Sequence, residues 1–175
     1  MRNGETIWGT MFFALAALLL MVPSAAAAAG RCSMAGVWIG ENDLGLAFII
    51  SVTPIDNAHN RFLLHSGDAN EPTGFGLFPT AVDGTDFQGV MERTGRYTFD
   101  QTALAYARDD VSWVGTFAVS GTWTLSQDCS TAEVVWYGST FLPEDDPIGG
   151  EPFFCFPPIT GLYHRVPVVP SSCEE

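Results

Sequence analysis

The chain contains no lysine, and its seven arginines are outnumbered by twenty aspartate and glutamate residues, which gives a formal net charge of −13. Proteins that bind nucleic acid need clustered lysine and arginine side chains to pair with phosphate groups. Anionic membrane surfaces attract proteins through the same positive charges. We therefore expect neither nucleic acid nor an anionic membrane surface to be a partner of this protein.

The motifs of common enzymes and metal sites are also missing. The sequence contains no G-x-S-x-G, no H-E-x-x-H and no phosphate-binding glycine loop. No two cysteines have the spacing of a zinc site, and the acidic segments at residues 83–86 and 144–146 lack the regular spacing of a calcium loop. His65 could meet an aspartate and a serine on neighbouring strands, although the spacing does not require it. These absences predict no catalytic residues, no metal site and no cofactor, and they disfavour an enzyme without excluding one.

Residues 1–29 have the organisation of a cleaved secretory signal peptide. Arg2 precedes an apolar run over residues 11–22, and five alanines at residues 25–29 supply the small side chains that signal peptidase requires. The apolar run is shorter than the roughly 20 residues of a membrane-spanning helix, so cleavage is favoured over retention as an anchor. Lipidation of Cys32 is a weaker alternative, because Arg31 occupies a position that needs a small residue. We expect a mature single domain of residues 30–175, secreted to the periplasm or the extracellular space and not inserted in a membrane.

The mature part contains four cysteines: Cys32, Cys129, Cys155 and Cys173. In an oxidising compartment an even number of cysteines predicts disulfide bonds, here two of them, for which three pairings are possible. We expect one bond between Cys32 and Cys173, which would join the two ends of the domain. The other would join Cys129 to Cys155 and hold a long loop.

Beyond the signal peptide the apolar residues alternate with polar ones, and no segment has the period of a helix. The clearest alternation covers residues 111–126, where one face carries Val111, Trp113, Gly115, Phe117, Val119, Gly121, Trp123 and Leu125. A two-residue turn at Ser120 and Gly121 would send Trp123 to the solvent side. We therefore predict one long strand that bends or bulges at Gly121.

Weaker patterns of the same kind predict seven further strands. They cover residues 34–40, 46–54, 60–66, 86–93, 96–107, 131–142 and 160–166. Short connections rich in glycine, asparagine and aspartate join most of them, as in an antiparallel meander. Long strands coil, and closure of the sheet removes its exposed edges. We expect an all-β domain, either a meander barrel of about eight strands or a strongly coiled half-barrel.

Two connections, at residues 67–85 and 143–158, are too long to be turns. Long loops in compact domains are often functional. These two also carry apolar side chains that could plug an end of the barrel: Phe75, Leu77, Phe78, Phe153, Phe154 and Phe156. We favour the plug and keep a functional role as the alternative.

Gly36-Val37-Trp38 on the first strand and Arg165 at the end of the last strand resemble the structural signature of the calycin superfamily, to which the lipocalins belong. In that superfamily the tryptophan of a G-x-W motif packs against an arginine of the final strand and closes one end of the barrel. The resemblance implies a lipocalin-like barrel in which the Arg165 guanidinium lies over the Trp38 ring. A cation–π contact of this kind is worth about 0.5–2 kcal/mol.

Large aromatic residues lie on the predicted strands at positions that can face inward: Trp38, Trp113, Phe117, Trp123 and Trp136. An eight-stranded barrel has an interior that side chains can fill or that can hold one small ligand. These residues are therefore either core or the walls of a cavity. Glycines on the same strands leave space or mark bends: Gly115, Gly121 and Gly138.

Three functions fit these observations. The first is a secreted lipocalin-like protein that binds a small apolar molecule in the barrel interior, with Trp113, Phe117, Trp123 and Trp136 as walls. The second is a non-catalytic extracellular or envelope module with a filled barrel, whose loops contact another protein or a glycan. The third is a barrel enzyme with an acidic residue and a bound water in its cavity. A buried carboxylate or histidine beside the cavity, with a perturbed pKa, would favour the third.

Overall fold

The computed structural model describes residues 32–68, 78 and 80–167. The predicted signal peptide, Cys173 and most of the 67–85 connection lie outside the described residues, so the expectations made for them stay predictions. Within the described part every regular element is a β-strand. No helix long and apolar enough to span a bilayer occurs there.

The described part of the domain contains ten strands. In chain order they are β1 Gly36–Asn42, β2 Ala47–Pro54, β3 Arg61–Asp68, β4 Asp83–Gly84, β5 Phe87–Arg93, β6 Thr98–Arg108, β7 Trp113–Leu125, β8 Thr131–Phe141, β9 Phe154–Cys155 and β10 Ile159–Arg165. Eight of them correspond to the eight predicted strands. The two additional strands, β4 and β9, have two residues each and lie in the two long connections.

The eight long strands form a closed antiparallel barrel. Each pairs with the next one along the chain, and β10 lies between β1 and β8 and pairs with both. Trp38 of β1 is opposite Arg165, and Trp136 of β8 is opposite Ile159. Because β10 completes the circle, none of the eight strands is left with a free edge, which confirms the closed barrel over the half-barrel.

Strand β7 is continuous, as predicted, but its irregularity is not at Gly121. Gly121 pairs in register with Gln101 on β6 and with Trp136 on β8. The register shifts instead where β7 begins, because Gly115 is opposite Ala107 while Trp113 is opposite Arg108. A shift of one residue moves a side chain to the other face of a sheet.

The expectation that Trp113 faces inward is therefore wrong. Its side chain lies on the outside of the barrel and is 40% exposed. There it packs edge-on against Tyr106, with the ring centroids 5.6 Å apart.

One end of the barrel is closed by the contact that the calycin resemblance implies. The Arg165 guanidinium lies 4.7 Å from the centroid of the fully buried Trp38 ring and donates a hydrogen bond to the Ser33 carbonyl. The Trp38 indole donates to the Met34 carbonyl at 2.9 Å. We call this end the closed end.

We expect Arg165→Ala to lower the free energy of unfolding by about 2 kcal/mol, since it removes a cation–π contact and a hydrogen bond from a charged donor. Chemical denaturation followed by tryptophan fluorescence measures the loss. Arg96→Ala is the control, because the Arg96 guanidinium lies 5.0 Å from the Tyr97 ring at the surface and its removal costs below about 0.5 kcal/mol. Equal losses in the two variants would contradict the closing role of Arg165.

The disulfide pairing that we expected is wrong. Cys32 is bonded to Cys129, with their Cα atoms 5.5 Å apart, and Cys155 is an exposed free thiol. Cys129 lies in the turn that precedes β8, whereas Cys155 is opposite Ser139 near the far end of that strand. The intervening stretch of β8 spans about 25 Å, far beyond the roughly 7 Å that a disulfide can bridge.

Candidate functional site: a small apolar cavity in the barrel

A cavity of about 60 Å³ lies inside the barrel, between the closed end and the opposite end, which we call the far end. Its apolar lining comes from seven strands: Phe48, Ile50, Leu64, Phe87, Ala103, Ala105, Ala107, Phe117, Val119, Trp136 and Ile159. Most of these residues are buried in the core of the barrel. The cavity is therefore a gap in a continuous hydrophobic core.

Alanines on β6 create the gap. Ala103, Ala105 and Ala107 occupy three successive inward positions of the strand, and all three are buried. Their methyl groups leave space that a leucine or phenylalanine would fill. Small residues at alternate positions of the sequence were the available signal for this wall, and the sequence interpretation missed it.

The glycines that were expected to leave space are mostly covered by aromatic rings. A Cβ atom on Gly115 would collide with the Phe78 ring, and one on Gly121 would lie 2.6 Å from the Trp136 ring. At Gly138 the nearest atoms belong to Phe117, at 3.0 Å. Of the three, only Gly138 contributes to the cavity lining.

Aromatic side chains from the two long connections cover the far end, as predicted for Phe78 and Phe156. Phe78 is buried against Gly115, and the Phe156 ring lies 5.3 Å from that of Phe117. Phe153 and Phe154 instead are exposed. Phe75 and Leu77 fall outside the described residues.

The four residues expected to form ligand-contacting walls are divided among three places. Phe117 and Trp136 line the cavity. Trp123 is fully buried on the closed-end side, with its ring centroid 6.5 Å from that of Trp136, and it does not reach the cavity surface. Trp113 lies outside the barrel.

Three buried polar residues interrupt the apolar lining. The Asn42 side-chain oxygen accepts hydrogen bonds from the backbone N–H groups of Leu44 and Leu46, at 3.0 Å each. Gln101 accepts one from the Trp123 indole at 2.6 Å. The third residue is Ser66, whose hydroxyl is buried and has no hydrogen-bond partner among the described residues.

The indole N–H of Trp136 is the fourth polar group at the cavity. It is also buried without a partner in the described part of the chain. Trp136 and Ser66 lie on β8 and β3 respectively, so the two unpaired groups come from different sides of the barrel.

Tyr106 is the one ionisable residue of this lining in the described chain, and its ring is 44% exposed and packs against Trp113 on the outside of the barrel. Tyr163 is buried nearby, with its ring 5.6 Å from that of Trp136, and burial raises the pKa of its phenol far above the usual range. Its hydroxyl therefore stays neutral at physiological pH. No carboxylate or histidine that could act as an acid or base contacts the cavity among the described residues.

The histidine arrangement considered in the sequence lies on the outer face. His65 Nε2 is 3.4 Å from an Asp86 carboxylate oxygen, and Ser51 is opposite His65 on the neighbouring strand. Both members of the ion pair are about half exposed. This pair lies on the convex outer face of the barrel and does not line the cavity. Its exposure to water also deprives it of the desolvated environment that strengthens catalytic electrostatic interactions.

No known protein-family model matches the chain, and no curated protein sequence is significantly similar to it. Function is therefore inferred from the fold and the cavity alone.

Proposed function

We propose that the protein is a secreted lipocalin-like protein that binds a small apolar molecule in the barrel interior. The observation that carries the proposal is the apolar cavity between the alanine wall of β6 and the rings of Phe117 and Trp136. The closed meander barrel and the stacking of Arg165 on Trp38 support membership of the calycin superfamily. The Cys32–Cys129 bond is consistent with an oxidising, extracytoplasmic location.

The volume of the cavity limits the ligand. A cavity of about 150 Å³ accommodates benzene, and the space here is about 60 Å³. The ligand is therefore a short chain or a small ring. A larger molecule would require Phe78 or Phe156 to move away from the far end.

Exposed apolar residues on one loop favour a second candidate function, a non-catalytic interaction module. Ile148, Phe153 and Phe154 on the 143–158 connection are exposed to solvent, and exposed apolar side chains of this kind favour contact with a partner protein. In this alternative the barrel is a filled scaffold and the loop is the binding surface.

Filling the cavity tests the first proposal. Ala105→Val adds two methyl groups to the alanine wall, so we expect affinity for a small apolar probe such as methylenecyclobutane to fall at least tenfold. Stability should change by less than about 1 kcal/mol, because the added groups occupy existing space. Probe binding is measured by NMR titration, and stability by chemical denaturation.

Ala47→Val is the matched control, because Ala47 is exposed on the outer face of β2. It should leave probe binding unchanged. Undiminished binding by Ala105→Val would show that the probe binds elsewhere and would favour the loop as the functional surface.

A further inference from the structure

Of the four tryptophans in the described residues, three have an indole N–H that donates a hydrogen bond and one does not. Trp38 donates to the Met34 carbonyl, Trp123 to Gln101 and Trp113 to the Gly115 carbonyl. Trp136 is buried as well, at 7% exposure, yet its N–H has no partner among the described residues. Buried donors in proteins are nearly always paired, so an unpaired one calls for an explanation.

Ser66, on the other side of the cavity, also carries a buried polar group without a hydrogen-bond partner among the described residues. The residue is 4% exposed, and its hydroxyl has no partner in the described part of the chain. Both residues line the cavity. A molecule inside it would recover the hydrogen bonds that Trp136 and Ser66 lack.

The chemistry of these groups specifies what such a molecule must carry. An indole N–H is a donor only, and a hydroxyl can donate as well as accept. The Gln101 oxygen is already engaged by Trp123, so the carboxamide is held with its donor NH₂ group turned away from that indole. The polar points of the cavity therefore favour a ligand with a hydrogen-bond acceptor.

The cavity lining has no charged side chain in the described residues that could pair with an ionised ligand. No arginine lines it within the described residues, and the chain has no lysine. Likewise no aspartate or glutamate lines it there, so an ammonium ion would have no counterion. Burying an unpaired charge is far costlier than burying a neutral polar group.

We propose that the natural ligand is a small neutral molecule with an apolar body and an acceptor oxygen or nitrogen, such as a ketone, ether or ester, held by the Trp136 N–H and the Ser66 hydroxyl. This inference rests on the proposed function and goes beyond it by assigning the ligand class and the two residues that recognise it. Trp136 and Ser66 are specificity-determining residues in this account.

The test compares cyclobutanone with its hydrocarbon isostere methylenecyclobutane by NMR titration of ¹⁵N-labelled mature protein. We expect cyclobutanone to bind about five- to tenfold more tightly, the effect of one satisfied buried hydrogen bond. It should also shift the Trp136 indole signal, identified by its loss in Trp136→Phe. The indole signals of Trp38 and Trp123 are internal controls, because their donors are already bonded.

Two variants separate recognition from packing. Trp136→Phe retains an aromatic ring without the N–H, and Ser66→Ala removes only the hydroxyl. Each should reduce the preference for cyclobutanone to about twofold or less, while methylenecyclobutane still binds. Trp113→Phe, on the outer wall, should retain the full preference.

The outcomes distinguish this inference from the proposed function. Equal binding of the two probes, or a preference that survives both variants, would overturn the inference and leave the apolar cavity intact as a binding site. Tight binding of cyclopropanecarboxylate or cyclobutylammonium would overturn the requirement for neutrality. Failure of every probe to bind would overturn the proposed function and the inference together.

Discussion

The Cys32→Ser, Cys129→Ser double variant is expected to lose about 4 kcal/mol of unfolding free energy. The two cysteines are 97 residues apart in the chain, and in the chain-entropy model a cross-link over about 100 residues restricts the unfolded state by roughly 4.7 kcal/mol. Cys32 is also buried against the core at the closed end. The double variant leaves the chain segment before β1 attached by the Arg93 and Arg165 hydrogen bonds to the Cys32 and Ser33 carbonyls.

Cys155→Ser is the matched control for this loss, because Cys155 is an exposed free thiol. Denaturation in the absence of reductant should show a stability within about 0.5 kcal/mol of wild type. Adding a reductant should reproduce the loss of the double variant in the unmodified protein. If Cys155→Ser were the destabilised variant, the Cys32–Cys129 pairing would be contradicted.

Trp123→Ala is expected to cost about 4 kcal/mol, the usual penalty for removing a fully buried tryptophan. Trp123 is the centre of the aromatic cluster between the cavity and the closed end. Its ring lies 6.1 Å from that of Trp38 and 5.0 Å from that of Tyr163. The substitution also leaves Gln101 without its hydrogen-bond donor.

Trp113→Ala serves as the comparison, since it removes the same side chain from the same strand. Trp113 is partly exposed and contacts Tyr106 on the outer surface, so its removal should cost less than about 1 kcal/mol. The difference between the two variants, measured by chemical denaturation, tests the register of β7. Equal losses would place both tryptophans on the same face and contradict the shift at Ala107 and Arg108.

Alternation of apolar and polar residues was sufficient to predict the eight long strands, whereas the choice between a closed barrel and a half-barrel was left to the pairing of β10 with β1 and β8. The period-two pattern reports which face of a strand is buried, and it is strongest on strands with one wet face, such as β7. The stacking of Arg165 on Trp38 was predicted only through the calycin resemblance. Trp38 and Arg165 are more than 120 positions apart in the chain, and neither composition nor periodicity indicates that they are in contact.

The cavity and the disulfide bond could not be predicted in the same way. The face of Trp113 depends on a register shift with β6, which the sequence of β7 alone does not contain. The partner of Cys32 depends on which turn reaches the closed end after the strands have coiled. The cavity depends on a contrast between the alanines of β6, which leave space, and the glycines of β7, which aromatic rings cover.

The most direct test of ligand binding in the barrel is a crystal structure of the mature protein grown in the presence of cyclobutanone. We predict ordered density for one molecule between Ala103, Phe117 and Trp136, with its oxygen about 3 Å from both the Trp136 indole nitrogen and the Ser66 hydroxyl. Side chains that collapse into this space, or water alone at both polar groups, would contradict the account.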